Sequence, residues 1–269
     1  MTQRPDELDQ RDYVQSLERG LAVILAFADH HPRLSLSEVA EATGLTRPTA
    51  RRLLLTLEAL GYVRAEGRSF SLTPRVLALG YAYLNSLDLT AIAQPVMERV
   101  AAAAQEACTL ATLDGSDVVY VNRISARRLS SLSLVVGTRL PAHASAMGQV
   151  LLADLAPADL RRYLDGTELT ALTAHTLTAE DALAERLAQV RERGWAAADQ
   201  ELEEGLRSIA VPVRGSEGRV FAALGISSTA GSMGTLVERQ LSLLQDSAAE
   251  ISARLGSDFS GGSRRPDGR

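Results

Sequence analysis

The sequence predicts an α+β fold, and three features lead to this prediction. Two capped helices and a short hairpin follow one another between residues 35 and 72. After residue 90, strand-like segments are interspersed with helices, and short turns join some neighbouring strands, which is typical of a mainly antiparallel sheet. Hydrophobic residues make up 46% of the 269 positions, so the chain can build two ordinary domains, each with its own core.

A helix-turn-helix is predicted at the start of this region. Ser35 and Glu38 have the spacing of a capping box, which begins a helix. Gly44 can take the left-handed conformation that ends it. Thr46 can cap the next helix, whose first turn tolerates Pro48 because the N–H groups there have no helical partner. The buried face of this second helix is predicted to comprise Ala50, Leu53, Leu54, Leu57 and Leu60.

Arginines are concentrated in the second helix and the hairpin. Arg47, Arg51 and Arg52 fall on or near the face opposite the apolar one, and the strands predicted at Tyr62–Ala65 and Ser69–Leu72 enclose a basic tip. This is the geometry of a helix that enters a major groove beside a wing that touches phosphates. The alternative is a small helical bundle with a solvated arginine face. The residues predicted to contact DNA are Ser35, Thr46, Arg47, Pro48, Thr49, Arg51, Arg52, Arg64 and Arg68.

The flanking segments complete the predicted N-terminal domain, residues 12–74. Residues 1–11 are predicted to be a disordered tail, and Tyr13–Ala28 a helix that packs against the two later ones. Its other side could pair with a second copy of the chain. The apolar stripe that predicts this helix is Val14, Leu17, Leu21, Ile24, Leu25 and Ala28. Residues 75–88, with apolar spacing over Arg75–Leu87, are predicted to be a linker helix; the alternative is an ordinary core helix of the next domain.

The second domain is predicted to span residues 89–257, followed by a disordered tail at 258–269. Its predicted strands are Cys108–Leu113, Val118–Ile124, Leu132–Val136, Trp195–Ala198, Leu206–Val213 and Val220–Ser227. Its predicted helices are Ala91–Glu106, Ser145–Leu155, one that starts at Pro157, Asp181–Arg193 and Val237–Leu255.

The composition excludes several classes of enzyme. All 28 basic residues are Arg, so the chain has no P-loop lysine, Schiff-base lysine or Ser–Lys dyad. Its one cysteine, Cys108, excludes an internal disulfide and a cysteine-cluster zinc site, and is best interpreted as a small buried residue. The nucleophile-elbow and H-E-x-x-H patterns are absent. The acidic run Asp199–Glu204 is more typical of a solvated loop than of a metal site, and His143 of a structural histidine than of a catalytic base.

These observations favour a non-enzymatic, DNA-binding protein that needs no cofactor or metal. The net charge of −5 means that a DNA-binding surface must be local, and five Arg against two Glu between Arg47 and Arg68 provide one. The alternatives are a cytoplasmic enzyme acting on small carboxylic acids with an accessory interaction module, and a sensor that acts through protein partners. The polar N-terminus and the lack of a long apolar run predict a cytoplasmic protein without a membrane span.

Four motifs resemble those of the IclR family of bacterial transcription regulators over nearly the whole chain. They are SLERGLAVILAF, SLSEVAEATGLTRPTARRLLLTLEALGYV, VGTRLPAHASAMGQVLLA and VRERGWAAADQELEEGLRSIAVPV. Other pieces, such as DQELEEGLRSIA, are most similar to the branch that regulates the catabolism of protocatechuate, p-hydroxybenzoate and β-ketoadipate. The resemblance implies a winged helix-turn-helix, a GAF-like effector-binding domain, and a homodimer or dimer of dimers on operator DNA. RNA polymerase is a further possible partner.

The resemblance also implies where a small aromatic or dicarboxylic acid effector binds. The implied contacts are His143, Ala144, Ser145, Ala146, Met147, Gln200, Leu206, Ser208 and Ser227. Independently, the free N–H groups of a helix that starts near Ser145 suit a carboxylate. At Gly225 the chain departs from relatives that have a hydroxyl there. Arg123 could pair with the acid in a bidentate manner, or it could form a structural ion pair with the loop Glu201–Glu204.

Overall fold

The computed structural model describes residues 13–27, 32–79, 89–125, 135–215 and 218–261, with side chains described as far as residue 255 in the last helix. The chain divides into two compact units, Met1–Ser86 and Leu87–Arg269. Both predicted terminal tails lie largely outside the described residues. In the described part of the chain, no helix combines the length and the apolar character needed to cross a bilayer.

The first unit is a three-helix domain with a small antiparallel sheet. Its elements are α1 (Gln15–Leu25), β1 (Leu34–Ser35), α2 (Leu36–Thr43), α3 (Arg47–Ala59), β2 (Val63–Glu66) and β3 (Ser69–Leu72). The strands lie in the order β1-β3-β2, so the short β1, which the sequence did not reveal, pairs with the outer side of the hairpin. The predicted helix-turn-helix and hairpin are confirmed, with boundaries that differ by one or two residues.

Helix α1 buries a different face from the predicted one. The core contains Val23 and Phe27, whereas Leu17, Leu21 and Leu25 of the predicted stripe are largely exposed. At 100° per residue, Val23 lies on a different arc of the helix from these leucines, and Phe27 follows the end of the helix. Ile24 of the stripe packs against the core, whereas Val14 and the three leucines are apolar without being buried in their own unit. Ala28 lies outside the described residues.

The end of α3 and the segment after β3 differ from the predictions or lie partly outside the described residues. The spacing predicts Leu60 in the buried face of α3, but it follows the last residue of the helix and is 52% exposed. The chain continues from β3 into a 3-10 turn at Pro74–Val76, and residues 77–79 are helical. The rest of the predicted linker helix lies outside the described residues.

The second unit is built on a six-stranded, wholly antiparallel sheet in the order β6-β5-β4-β9-β8-β7. The strands are β4 (Ala107–Asp114), β5 (Asp117–Ile124), β6 (Arg139–Pro141), β7 (Ala196–Asp199), β8 (Arg207–Arg214) and β9 (Val220–Ser228). The helices are α4 (Leu89–Ala104), α5 (Ala146–Ala153), α6 (Pro157–Gly166), α7 (Glu180–Arg193) and α8 (Met233–Gly261).

Both faces of this sheet are covered, which explains why its central strands are apolar throughout. Ala111, Ala210 and Ala223 form a cluster with α5, α6 and α7. The residues that alternate with them, such as Leu110 and Leu224, are also buried, and they face α4 and α8 on the other side. Small residues beneath α5 let that helix lie close to the sheet.

Two element predictions in this unit are wrong in part. Residues 132–134 of the predicted strand lie outside the described residues, while Val135 and Val136 are exposed in the turn that leads to β6. Helix α8 continues to Gly261, into the segment predicted as a disordered tail. A helix pattern read from apolar spacing ends with its last apolar residue, although the hydrogen bonding continues beyond it.

Candidate functional site

The start of helix α3 is fixed by the side chains of its own first turn. The Thr46 hydroxyl accepts a hydrogen bond from the Thr49 N–H at 3.4 Å, and the two hydroxyls lie 2.9 Å apart. Gly44 has φ of 65°, the left-handed conformation that closes α2 and sets the turn before α3. Ala50 and Leu54 are fully buried and hold the helix against the unit's core.

The opposite face of α3 presents arginines to solvent. Arg47, Arg51 and Arg52 are exposed, and none of the three forms an ion pair with any described residue. Unpaired guanidinium groups on an exposed helix face are available for phosphate oxygens and guanine edges. Leu55 lies on the same arc and is 41% exposed; nothing in the structure explains it.

The two arginines predicted for the wing differ in their surroundings. Arg64 Nε lies 2.7 Å from Glu66 Oε1 and 3.3 Å from the Ser71 hydroxyl. Glu66 also pairs with Arg33, at 2.9 Å. Arg68, at the tip beside Gly67, is exposed and has no ion-pair partner in the described part of the chain.

The Ser35 side chain is engaged in the capping box that the sequence predicts. Its hydroxyl accepts the Glu38 N–H at 3.3 Å, while its own N–H donates to the Glu38 carboxylate at 2.7 Å. The Ser35 and Thr46 side chains thus both orient helix starts, and any contact they make with DNA is added to that capping role.

In the second unit, the segment from Ala142 to Met147 is buried against the sheet. It contains His143, Ala144, Ser145 and Ala146, all at most 4% exposed. Gly148 follows, and a Cβ built on it would lie only 2.0 Å from the Ala142 carbonyl oxygen. Only glycine therefore permits the chain to fold back on itself so closely at the start of α5.

Some backbone N–H groups at this helix start already donate hydrogen bonds to other atoms of the protein. The Ser145 hydroxyl accepts the Gly148 N–H at 3.0 Å, and the Gln149 N–H donates to the Ser145 carbonyl at 2.9 Å. His143 Nε2 donates to the Thr170 carbonyl at 3.1 Å, which supports the structural role predicted for this histidine. The prediction of free N–H groups at this end of α5 is therefore wrong for Gly148, while the Gln149 N–H forms the first regular hydrogen bond of the helix.

Met147 lies directly above the middle of the sheet. A Cβ on Gly225 would come within 2.9 Å of Met147 Cγ, so the absence of a side chain at 225 leaves room for the thioether. Ser208 and Ser227 are direct neighbours in the register of β8 and β9, and Ser227 lies two residues along β9 from Gly225. Both serines are half-buried, and strand alternation places them on the same face as Gly225.

Arg123 lies on the neighbouring part of this face. It is half-buried, and its guanidinium donates to the Thr109 hydroxyl at 3.4 Å; Thr109 itself is the register partner of both Arg123 and Gly225. Burial raises the pKa of Tyr120, and the positive charge of Arg123 lowers it in part. A buried phenol and hydroxyl beside a half-buried guanidinium suit an anionic, polar ligand.

The acidic loop is not simply solvated, as the sequence suggested. Glu201 is 4% exposed and forms an ion pair with Arg186, from Oε1 to NH1 at 2.9 Å, while Asp199 pairs with Arg207 at 3.0 Å. Among the described residues, Arg123 forms no ion pair with Glu201–Glu204, so the alternative of a structural ion pair with that loop is wrong. Among the described residues, no three histidine, cysteine or acidic side chains come together as metal ligands would.

Gln200 and Leu206 lie at the two ends of this loop and are hydrogen-bonded to each other. Gln200 is in the left-handed conformation, its N–H donates to the Leu206 carbonyl at 2.8 Å, and its side-chain oxygen accepts the Gly205 N–H at 3.0 Å. Its side-chain oxygen is therefore used within the loop, which leaves its amide N–H groups as the possible ligand contacts.

Sequence reasoning missed several residues that surround the predicted site. The sequence does not single out Thr109, Gln149 or Arg186, and it indicates Glu201 only as part of the acidic run and as one possible partner of Arg123. Gln149 did carry a signal, because it is the one polar side chain in the helical segment AMGQVLLA. A polar residue in a fully apolar helix is buried with a partner more often than not.

Comparison with known proteins agrees with this geometry. The family model of the IclR helix-turn-helix domain matches residues 16–67, and that of the bacterial transcriptional regulator IclR C-terminal domain matches residues 81–253. The chain belongs to the IclR family. This confirms the predicted family, its winged helix-turn-helix followed by an α+β effector-binding domain, and the prediction that the protein is a transcription regulator and not an enzyme.

Individual IclR regulators are also similar over most of their length. The Pca regulon regulatory protein of Pseudomonas putida is 45% identical over 82% of this chain and 76% of its own. The p-hydroxybenzoate hydroxylase transcriptional activator of Acinetobacter baylyi is 35% identical over 91% and 93%. An IclR homologue of Microbacterium hydrocarbonoxydans, crystallised with 4-hydroxybenzoate, superposes with a TM-score of 0.81 at 29% identity, covering 90% of this chain and all of that one. The similarity to the aromatic-acid branch is thereby confirmed.

Proposed function

We propose that this IclR regulator controls an aromatic catabolic operon in the cytoplasm, and that a small aromatic or dicarboxylic acid bound to its second unit is the effector. The observation that carries the proposal is the half-buried guanidinium of Arg123 beside Thr109, on the sheet face that Met147 covers. The regulators of Pca and p-hydroxybenzoate genes named above, and the homologue that binds 4-hydroxybenzoate, support the same class of ligand.

The proposed site has polar groups at both ends and an apolar middle. Arg123 and Thr109 form one end, Ser208 and Ser227 the other, and Met147 lies above Gly225 between them. On ordinary strand spacings, Thr109 and Ser227 are roughly 8 Å apart, a span that a benzene ring with a polar group at each end can bridge. Because Met147 packs directly on Gly225, its flexible side chain must turn aside for the ring to lie between them. His143, Ala144, Ser145, Ala146, Gln200 and Leu206 complete the proposed contacts.

Titration of the full-length chain with 4-hydroxybenzoate, protocatechuate and β-ketoadipate tests this assignment. We expect at least one acid to bind, and Arg123→Gln to weaken it by about 10-fold to 100-fold, as the loss of a charge-assisted hydrogen bond does. Arg219→Gln, an exposed arginine of the same unit, is the matched control. If the chain ignores all three acids and binds an unrelated metabolite, the branch of regulation is wrong, although the family is not.

For the DNA interface, we propose that α3 enters the major groove through Arg47, Pro48, Thr49, Arg51 and Arg52, with Ser35 and Thr46 near the backbone and Arg64 and Arg68 on phosphates. The exposed, unpaired arginines of α3 support this choice of face.

We further propose a homodimer, or a dimer of dimers, on a two-fold operator. The uncovered apolar stripe of α1 supports self-association, because large exposed apolar surfaces mark interaction sites. Contact with RNA polymerase and the domain limits 12–74, 75–88 and 89–257 remain predictions.

A further inference from the structure

A buried carboxylate joins the two sides of the proposed effector site. Glu201 uses both of its oxygens: Oε1 accepts from Arg186 at 2.9 Å, and Oε2 accepts from Gln149 Nε2 at 2.7 Å. Gln149 is completely buried, and the same Nε2 donates to the backbone carbonyl of His143 at 3.1 Å. Glu201 is thus linked, through one amide, to the segment that begins the effector site.

The orientation of this amide is fixed by its neighbours. A carbonyl and a carboxylate can only accept hydrogen bonds, so the side-chain nitrogen of Gln149 must face both of them. Its oxygen, Oε1, is buried and has no hydrogen-bond partner among the described residues. A rotated amide would place Oε1 against the negative charge of Glu201, which leaves the observed orientation as the only favourable one.

A second connection runs in parallel through the segment 170–176. His143 Nε2 donates to the Thr170 carbonyl at 3.1 Å, as described above. Thr173 donates to the Gln200 carbonyl and Thr176 to the Glu201 carbonyl, each at 2.6 Å. The backbone of the acidic loop and the segment before α5 are therefore tied to the same short stretch of chain.

From these contacts we infer that Glu201 is a positioning residue. Its carboxylate fixes the spacing between residues 143–147 and residues 200–208, which form two sides of the effector site. This inference rests on the proposed function, because it assumes that site. A buried ion pair contributes little to stability relative to apolar packing, but removal of one partner leaves the other charge buried without a counter-charge. The role of Glu201 is therefore to hold one arrangement, and its loss releases the start of α5.

Hydrogen exchange of the ligand-free, full-length chain tests this directly. In Glu201→Gln, we expect the amides of residues 145–149 to exchange about tenfold faster or more, while those of the central strands β4 and β9 keep their rates. A purely structural loss would raise exchange throughout the unit. Glu204→Gln, the same substitution at an exposed position of the same loop, should leave both sets unchanged.

A second variant covers the case in which Glu201→Gln does not fold. Gln149→Met cuts the link to His143 but retains the ion pair between Glu201 and Arg186, and it should raise exchange at 145–149 in the same way. If the folded variants exchange there at the wild-type rate, the inference is overturned.

The effector itself supplies the second readout. With 4-hydroxybenzoate and benzoate as probes, a change in spacing should alter the ratio of the two affinities, because only the former reaches both polar ends of the site. An equal weakening of both acids would contradict a positioning role. Failure of the wild-type chain to bind either acid would count against the proposed function alone, since the exchange experiment does not depend on a ligand.

Discussion

Arg64 and Glu66 form an ion pair of 2.7 Å on the same strand of the wing, and Glu66 binds Arg33 as well. The wing's positive charge is thereby partly neutralised at Arg64, while Arg68 at the tip keeps its full charge. We therefore expect Arg68→Ala to lower DNA affinity on all sequences and to reduce the salt dependence by about one phosphate contact, and Arg64→Ala to do less. Binding measured by fluorescence anisotropy at several salt concentrations will separate the two.

Glu66→Gln provides the matching test of this charge balance. Removal of the carboxylate frees Arg33 and Arg64, so non-specific affinity should rise and the salt dependence should steepen. Equal effects of Arg64→Ala and Arg68→Ala, together with an unchanged Glu66→Gln variant, would show that the pair does not restrain Arg64 on DNA.

The exposed arginines of α3 should determine sequence preference. Arg51→Ala or Arg52→Ala is expected to cost about 1–3 kcal/mol on the preferred operator and to relax selection at one base pair. Selection of genomic fragments, followed by footprinting with each variant, measures both effects. Arg161→Ala, an exposed arginine of the second unit, is the control, and a footprint that neither α3 variant alters would refute the assigned face.

Gly148 is the position where a single methyl group should be most harmful. The added Cβ would lie 2.0 Å from a backbone oxygen, which cannot move as a flexible side chain can. We expect Gly148→Ala to destabilise the second unit by several kcal/mol, of the order of the largest single-substitution effects. Gly234→Ala in helix α8, with no atom nearer than 3.8 Å, should be neutral or stabilising by about 0.5–1 kcal/mol. Thermal unfolding of the two variants compares them; similar midpoints would contradict the close approach.

The contrast between what the sequence predicted and what it did not has a physical basis. Ser35, Gly44 and Thr46 act through bonds to residues at most four positions away, so their roles as caps can be predicted from spacing alone. Glu201 and Gln149 are 52 positions apart, and nothing local indicates that they meet. The sequence therefore predicts a solvated loop, which is the usual state of an acidic run.

Helix α1 illustrates a second limit. Its apolar stripe predicted a helix correctly, but the periodicity could not distinguish the face covered by its own unit from a face left exposed. Val23 and Phe27 are covered, whereas Leu17, Leu21 and Leu25 of the stripe are exposed. Apolar spacing in a sequence indicates both the helix face that packs in its own unit and an apolar face that packs against another chain.

Cys108 should be a sensitive reporter of opening of the second unit. Burial within the sheet raises the pKa of its thiol to about 12. It should therefore be inert to a disulfide reagent at pH 8 and react in step with unfolding, since the thiolate is the reactive form. Because the folded pKa lies above that of the exposed thiol, its contribution to stability is present below about pH 9 and is lost as the pH rises toward 12. Stoichiometric labelling of the native chain would show that the strand opens locally.

The exposed leucines of the α1 stripe should form the contact between two copies of the chain. Leu21 is 47% exposed, so Leu21→Glu should leave the unit folded. In a two-fold assembly each substitution occurs twice, and loss of two buried leucines costs about 3–6 kcal/mol. We expect sedimentation to show a smaller species, and operator affinity to fall because half-sites are no longer bound together. Leu172→Glu, at a leucine of the second unit that is 42% exposed, should change neither. If Leu21→Glu also changes neither, the stripe is not the contact between copies.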